Sequence, residues 1–288
     1  MFTATLIAAE RLAAGDFSAA LDRLAAAGCA PAASGWIDPG RAADIAFALA
    51  PDAARAALEA TIAGVDIVVQ PSASRTRKLL VADMDSTMIT VECIDELADY
   101  AGIKAEVAAV TERAMRGELD FEAALDARVA LLAGLDEAVI ARCLADRVTV
   151  SPGARTLVRT MRARGALTIL VSGGFTRFAD PVAATIGFDR AYANRLVIED
   201  GRLAGRVERP IVGAATKRAT LLAAIDDPND ALAIGDGAND LAMIEVAGLG
   251  VAYRAKPVVA AAADARIDHA DLTALLYAQG IPRAAWVD

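Results

Sequence analysis

Short apolar runs alternate along this chain with helically spaced stretches, and that alternation predicts an α/β fold. Residues 79–82, 168–171 and 231–234 are apolar runs of strand length, each followed at once by polar or glycine residues. Residues 91–148 carry helical spacing and no strand signal, which predicts a helical insert between the first two runs. Residues 155–164 predict an amphipathic helix leading into the second run, and residues 196–203 a hairpin turning at Asp200-Gly201. Val251-Ala252 and Ile267-Asp268-His269 predict the last strands of the sheet and their ends.

Ahead of the first run the pattern is different. Strands are expected at residues 3–9, 34–37 and 65–69, and helices at 17–27 and 53–62; Phe17, Leu21 and Leu24 share one face of the first helix. Asp38-Pro39-Gly40 marks a turn, and Gln70-Pro71-Ser72-Ala73-Ser74 reads as a linker. Two units follow from this: a small α+β module over residues 1–70 and a larger α/β unit after it.

Composition narrows the function classes. A net charge of −9 argues against nucleic acid or an anionic membrane as partner, although charges inside a site decide its own field. Cys29, Cys93 and Cys143 are dispersed without metal-ligand spacing and read as reduced core thiols of a cytoplasmic protein. Neither a secretory n-region nor an 18-residue apolar span is present, so no membrane segment is expected. His269 is the single histidine and reads as a strand-end surface residue, so any catalysis must run without histidine.

The chemistry concentrates at the strand ends. Asp83-Met84-Asp85-Ser86-Thr87 follows the first run and places two carboxylates two residues apart. At an effective dielectric near 20, two charges about 4 Å apart repel by roughly 4 kcal/mol, so such a pair calls for a cation, a proton or good donors. An Mg²⁺ site satisfies that need; an acidic turn capping a helix is the plainer reading. The second run ends in Ser172-Gly173-Gly174-Phe175, where a hydroxyl and a permissive backbone suit an anion. The third ends in Gly235-Asp236-Gly237-Ala238-Asn239-Asp240, and Lys217 lies between the two at the start of a helix. In open parallel sheets ligands bind outside the carboxyl ends of the strands, so the three turns can share one crevice with Lys217 as a phosphate clamp.

The order D-x-D-S-T, S-G-G-F, K, G-D-G-x-N-D resembles the haloacid dehalogenase superfamily, and the text between the motifs resembles its phosphoserine phosphatases. Glu92-Cys93-Ile94-Asp95-Glu96, residues 111–121 and Arg128-Val129 carry the second likeness, which covers roughly residues 76 to 285. Met84 stands where many relatives have Phe, one apolar side chain for another. The resemblance implies a Rossmann-like parallel sheet with helices on both faces at residues 71–90 and 151–288, a helical cap at 91–150, and an ACT-like module at 1–70. Such a module binds an amino acid or mediates homodimerisation, and nothing in its residues separates the two.

The resemblance further implies Mg²⁺-dependent hydrolysis of O-phosphoserine, the last step of serine biosynthesis, through an aspartyl-phosphate. Asp83 would be the nucleophile and Asp85 the proton carrier. Asp83, the backbone carbonyl of Asp85 and Asp236 would hold the metal, with Asp240 steadying the metal or Lys217. Ser172, Gly173, Lys217 and Asn239 would hold and orient the phosphoryl group. Glu92 would take the substrate ammonium, Arg128 its carboxylate, and Met115 and Phe121 would form an apolar wall. Three alternatives stand beside this: a phosphatase of another small phosphomonoester, a phospho-accepting receiver module, and a dinucleotide binder built on Gly235-x-Gly237. The helical insert is hard to place on a receiver, and Asp240 stands where the third fingerprint glycine belongs.

Overall fold

The computed structural model describes residues 1–115 and 118–288, without the side chain of Met115. The chain opens with β1 (Phe2–Ala8), α1 (Ala14–Ala26), β2 (Pro31–Asp38), β3 (Ala42–Phe47), α2 (Pro51–Leu58) and β4 (Val65–Pro71). These strands form an antiparallel sheet in the order β2-β3-β1-β4. Period-two alternation divides β1 and β4 between two environments. Ala4, Leu6, Val65 and Ile67 join Leu24 of α1 and Leu58 of α2 in one core. Ile7 and Val68 instead belong to the core of the larger unit.

The module is therefore seated on the rest of the chain. Asp66, on the same face as Val68, is buried and accepts the backbone N–H groups of Asp268, His269 and Ala270 at 2.9, 3.2 and 2.8 Å. His269 is thus held by its backbone while the residue itself is exposed. The expected linker is also structured: Gln70 and Pro71 close β4, and the Gln70 side chain donates to the Ala278 carbonyl and accepts from Arg77, both at 2.7 Å. Sequence composition signalled a tether there, but buried polar partners fix it in place.

The second unit runs β5 (Leu79–Ala82), α3 (Cys93–Tyr100), α4 (Lys104–Met115), α5 (Phe121–Ala130), α6 (Ala138–Arg147), α7 (Ala154–Ala163), β6 (Leu167–Phe175), α8 (Thr176–Ile186) and β7 (Arg190–Asn194). It continues with the hairpin β8 (Leu196–Glu199) and β9 (Arg202–Val207), then α9 (Ala214–Ala224), β10 (Ala231–Gly235), α10 (Leu241–Ile244), β11 (Leu249–Tyr253), α11 (Pro257–Ala262), β12 (Ala265–Ile267) and α12 (Ala274–Ala278). Six parallel strands lie in the order β12-β11-β10-β5-β6-β7. Leu80, Leu170 and Leu232 point to the layer of α7, α8 and α12, whereas Val81, Ile169 and Ala233 point to that of α9, α10 and α11. Burial on both faces explains why these strands read as unbroken apolar runs.

Register brings the motifs together. Ala82 pairs with Ile234 on one side and Leu170 on the other, so the turns after all three strands leave the same end of the sheet. The chain steps outward from β5 to β6 and β7, then crosses back to β10, and the crevice lies where that direction reverses. Helices α3 to α6 enter and leave beside each other, joined by a bridge between Ile89 and Val150. The β8–β9 hairpin braces this insert: Gly134 donates to the Leu203 carbonyl and Leu203 to the Leu135 carbonyl, both at 2.8 Å.

Candidate active site

A cavity of about 500 Å³ opens at that crevice, between the strand ends and the helical insert. Asp83, Asp85, Gly173, Asp236 and Asn239 line it from the sheet, and Glu92, Phe121 and Arg128 from the insert. A second cavity, about 350 Å³ and lined by Arg41, Asp271, Arg283 and Trp286 among others, lies against the N-terminal sheet and has none of the motif residues.

Asp83 follows β5 directly and is 5% exposed. Its Oδ1 accepts the Met84 N–H at 2.8 Å and lies 2.6 Å from Lys217 Nζ. Both contacts fall on that one oxygen. Oδ2 makes no hydrogen bond among the described residues.

The backbone then extends through Asp85 and turns left-handed at Ser86 (φ 54°), an uncommon conformation for a residue with a Cβ. This turn brings Asp85 back over the crevice. Its Oδ1 accepts the Cys93 N–H at 2.9 Å and its Oδ2 the Ser172 hydroxyl at 3.3 Å. Burial, and then the charge of Glu92, push its carboxyl up to about 6. A Cβ on Gly174 would lie 2.7 Å from Asp85 Oδ2, so only glycine admits this approach.

Lys217 is wholly buried, reached from the first turn of α9, and its Nζ lies 2.6 Å from both Asp83 and Asp240. Burial opposes its charge, but the two carboxylates overcome that and raise its pKa. Asp240 is fully buried too, and its other oxygen accepts the Asp236 and Gly237 N–H groups at 3.2 and 3.0 Å. A Cβ on Gly235 would fall 2.3 Å from the Asp240 carboxyl carbon, which explains the glycine that ends β10.

Burial and the charge of Asp240 push Asp83 well above the usual carboxylate range; burial, Asp240 and Glu92 push Asp236 up to about 7. Oxygens of Asp83, Asp236 and Asp240 lie within 4.8 Å of one another. Lys217 pairs with Asp83 and Asp240, and a divalent cation would supply the further positive charge that lets the three acids ionise together. The donors are all hard carboxylate oxygens, the set suited to Mg²⁺ or Ca²⁺. The residues therefore fit such an ion.

The sequence-derived residues do not all meet in the cavity. Ser172 and Lys217 are fully buried, and the lysine braces two carboxylates rather than lining open space. Glu92 is exposed at the wall and accepts the Ser86 hydroxyl at 2.6 Å. Arg128 is half-buried; its Nε–H donates to the Ala124 carbonyl at 3.2 Å, the one hydrogen bond of its side chain among the described residues. Burial lowers its pKa while Asp95, Glu92 and Asp85 favour its charge. Met115 ends α4, and its side chain lies outside the described residues. Lys256 also lines the cavity, next to Asp236, and sequence reasoning passed over it. Its place just after β11, another strand ending at this crevice, is the signal that marks it.

A family profile for haloacid dehalogenase-like hydrolases matches residues 80–245, and a second profile of the same description matches residues 219–278. The chain belongs to the haloacid dehalogenase-like hydrolases. A receiver module and a dinucleotide binder are thereby set aside. A phosphoserine phosphatase of Streptomyces coelicolor is 50% identical over 233 residues, 79% of this chain and 57% of that protein. This chain thus spans little more than half of that relative. A probable phosphoserine phosphatase of Vibrio cholerae, solved without ligand, superposes with a TM-score of 0.78 at 33% identity, covering 98% of this chain and 88% of the other. A phospho-aspartyl intermediate analogue of a phosphoserine phosphatase superposes at 0.65 with 38% identity, over 70% of this chain and 98% of that one. This member of the hydrolase family has no helix, among the described residues, long and apolar enough to cross a membrane.

Proposed function

We propose that this hydrolase cleaves O-phosphoserine to serine and phosphate in the cytoplasm, at an Mg²⁺-dependent site, as the closing step of serine biosynthesis. The observation that carries the reading is the asymmetry of Asp83: Oδ1 is anchored by Met84 and Lys217, which leaves Oδ2 to act as nucleophile. The relative trapped as a phospho-aspartyl analogue supports the same assignment.

Oδ2 of Asp83 attacks phosphorus, and the bond to the seryl oxygen breaks. Asp85 gives its proton to the departing oxygen, then takes one from the water that attacks the aspartyl-phosphate and releases phosphate. A carboxyl pushed to about 6 is suited to both transfers near neutral pH. Gly173 and Asn239, at the cavity wall, orient the phosphoryl oxygens, and Ser172 steadies Asp85 from below. Asp83, Asp236 and the Asp85 carbonyl would hold Mg²⁺, which supplies positive charge to offset the acids and the phosphoryl oxygens.

Selectivity falls to the insert. Arg128 offers its guanidinium fork to the substrate carboxylate, Glu92 takes the ammonium, and Phe121 supplies the apolar wall. Arg128→Lys is expected to raise KM for phosphoserine about 10- to 100-fold, as expected when a charge-assisted contact of about 1.5–3 kcal/mol is lost. KM for p-nitrophenyl phosphate, which has no carboxylate, should stay within about threefold. Equal losses on both substrates would remove Arg128 from the selectivity site.

Steady-state hydrolysis of a phosphomonoester panel tests the substrate, with kcat/KM for phosphoserine expected at least about tenfold above the rest. Comparable values across the panel would overturn it. Chelation by EDTA should cut turnover below about 1%, with recovery on adding Mg²⁺. The same addition should raise Tm, because binding to the native state alone stabilises it. Full activity in EDTA would remove the metal from the reading.

A further inference from the structure

We propose that Asn194 is a positioning residue for the phosphoryl-binding side of the cavity, its buried carboxamide tying the Ser172–Gly174 loop to the segment that carries Lys217. Asn194 ends β7 and is 1% exposed. Its Nδ2 donates to the Gly173 carbonyl at 2.9 Å and to the Val212 carbonyl at 3.3 Å, and its Oδ1 accepts the Val212 N–H at 2.7 Å. The pairing of β6 with β7 breaks register between Val171 and Phe175, so the Gly173 carbonyl lies outside the regular ladder and takes its donor from this side chain.

The other end of the tie leads directly to Lys217. Gly213 follows Val212, and its carbonyl accepts the Lys217 N–H at 3.0 Å in the first turn of α9. Phe121 rests on both tied segments: a Cβ would meet its ring at 3.0 Å from Gly173 and at 3.3 Å from Gly213. One carboxamide therefore sets the spacing of the anion-holding loop, the lysine beneath Asp83 and the seat of the insert. Asn194 lines no part of the cavity and acts only through these groups. Displacements of about 1 Å in such a frame cost on the order of 100-fold in rate.

The proposal rests on phosphoryl transfer at Asp83. Asn194→Asp keeps the size and the acceptor for Val212 but turns an oxygen toward two carbonyls. The expected result is a kcat about 10- to 100-fold lower, KM within about threefold, and inhibition by orthovanadate, which mimics the transferring phosphoryl group, weakened by a factor close to the loss in kcat. If circular dichroism shows this variant unfolded, Asn194→Ser, smaller and neutral, undergoes the same measurements. A native-like variant with kcat within threefold of wild type overturns the proposal, and so does a lower kcat with unchanged vanadate inhibition. Two unfolded variants make Asn194 a folding residue and overturn it as well. A wild-type chain that prefers another phosphomonoester corrects the substrate and leaves this comparison intact, whereas one that hydrolyses none defeats the reading beneath it.

Discussion

Asp83→Asn is expected to lower turnover by on the order of 10⁴-fold or more and to abolish trapping of a phosphoenzyme, while the fold is kept. Asparagine matches aspartate in size, and its amide oxygen can still accept the Met84 N–H that now reaches Oδ1. What is lost is the anionic oxygen proposed to bond to phosphorus, and groups that act as a unit fail together when one is removed. Acid-quenched enzyme exposed to radiolabelled substrate gives the readout: wild type should carry label and the variant none. A variant within tenfold of the wild-type rate would exclude the covalent role.

Lys217→Met carries the second large effect, on stability as well as on rate. The ammonium lies between Asp83 and Asp240 with no exposure of its own. Methionine fills similar space but leaves two buried carboxylates without their counter-charge, a loss of about 3–5 kcal/mol. Each kcal/mol shifts Tm by about 2–4 °C in a chain of this order, so a fall of roughly 10 °C is expected in a thermal melt. Activity should fall by at least about 100-fold, because Asp83 loses one of the two contacts that orient it. An unchanged Tm would mean that the lysine does not pair with these acids in the folded protein.

Much of the cavity's sheet side was legible because its residues sit in contiguous turns after apolar runs, where local sequence reports both the strand and the polar groups at its end. Asp83, Asp85, Asp236 and Asn239 are of this kind. β3 was not, since half of Ala42–Phe47 is alanine and the segment acquires strand form from its neighbours β1 and β2. Asp66, Gln70 and Asn194 were silent for a different reason: each acts on a backbone far away in sequence, and an isolated polar residue does not announce its partner. Lys217 lies between these cases. Its place near the acids was readable, but its complete burial was not, because that depends on how α9 packs beneath the sheet.

The seating of β4 beside β12 has a consequence for the catalytic sheet. β12 is its terminal strand, three residues long, and a terminal strand presents unpaired amide and carbonyl groups to any extended chain that passes. Here the N-terminal module occupies that flank, and Asp66 captures the three amides that follow the strand. Removal of the module is therefore expected to uncover this rim and leave it open to sheet-to-sheet association.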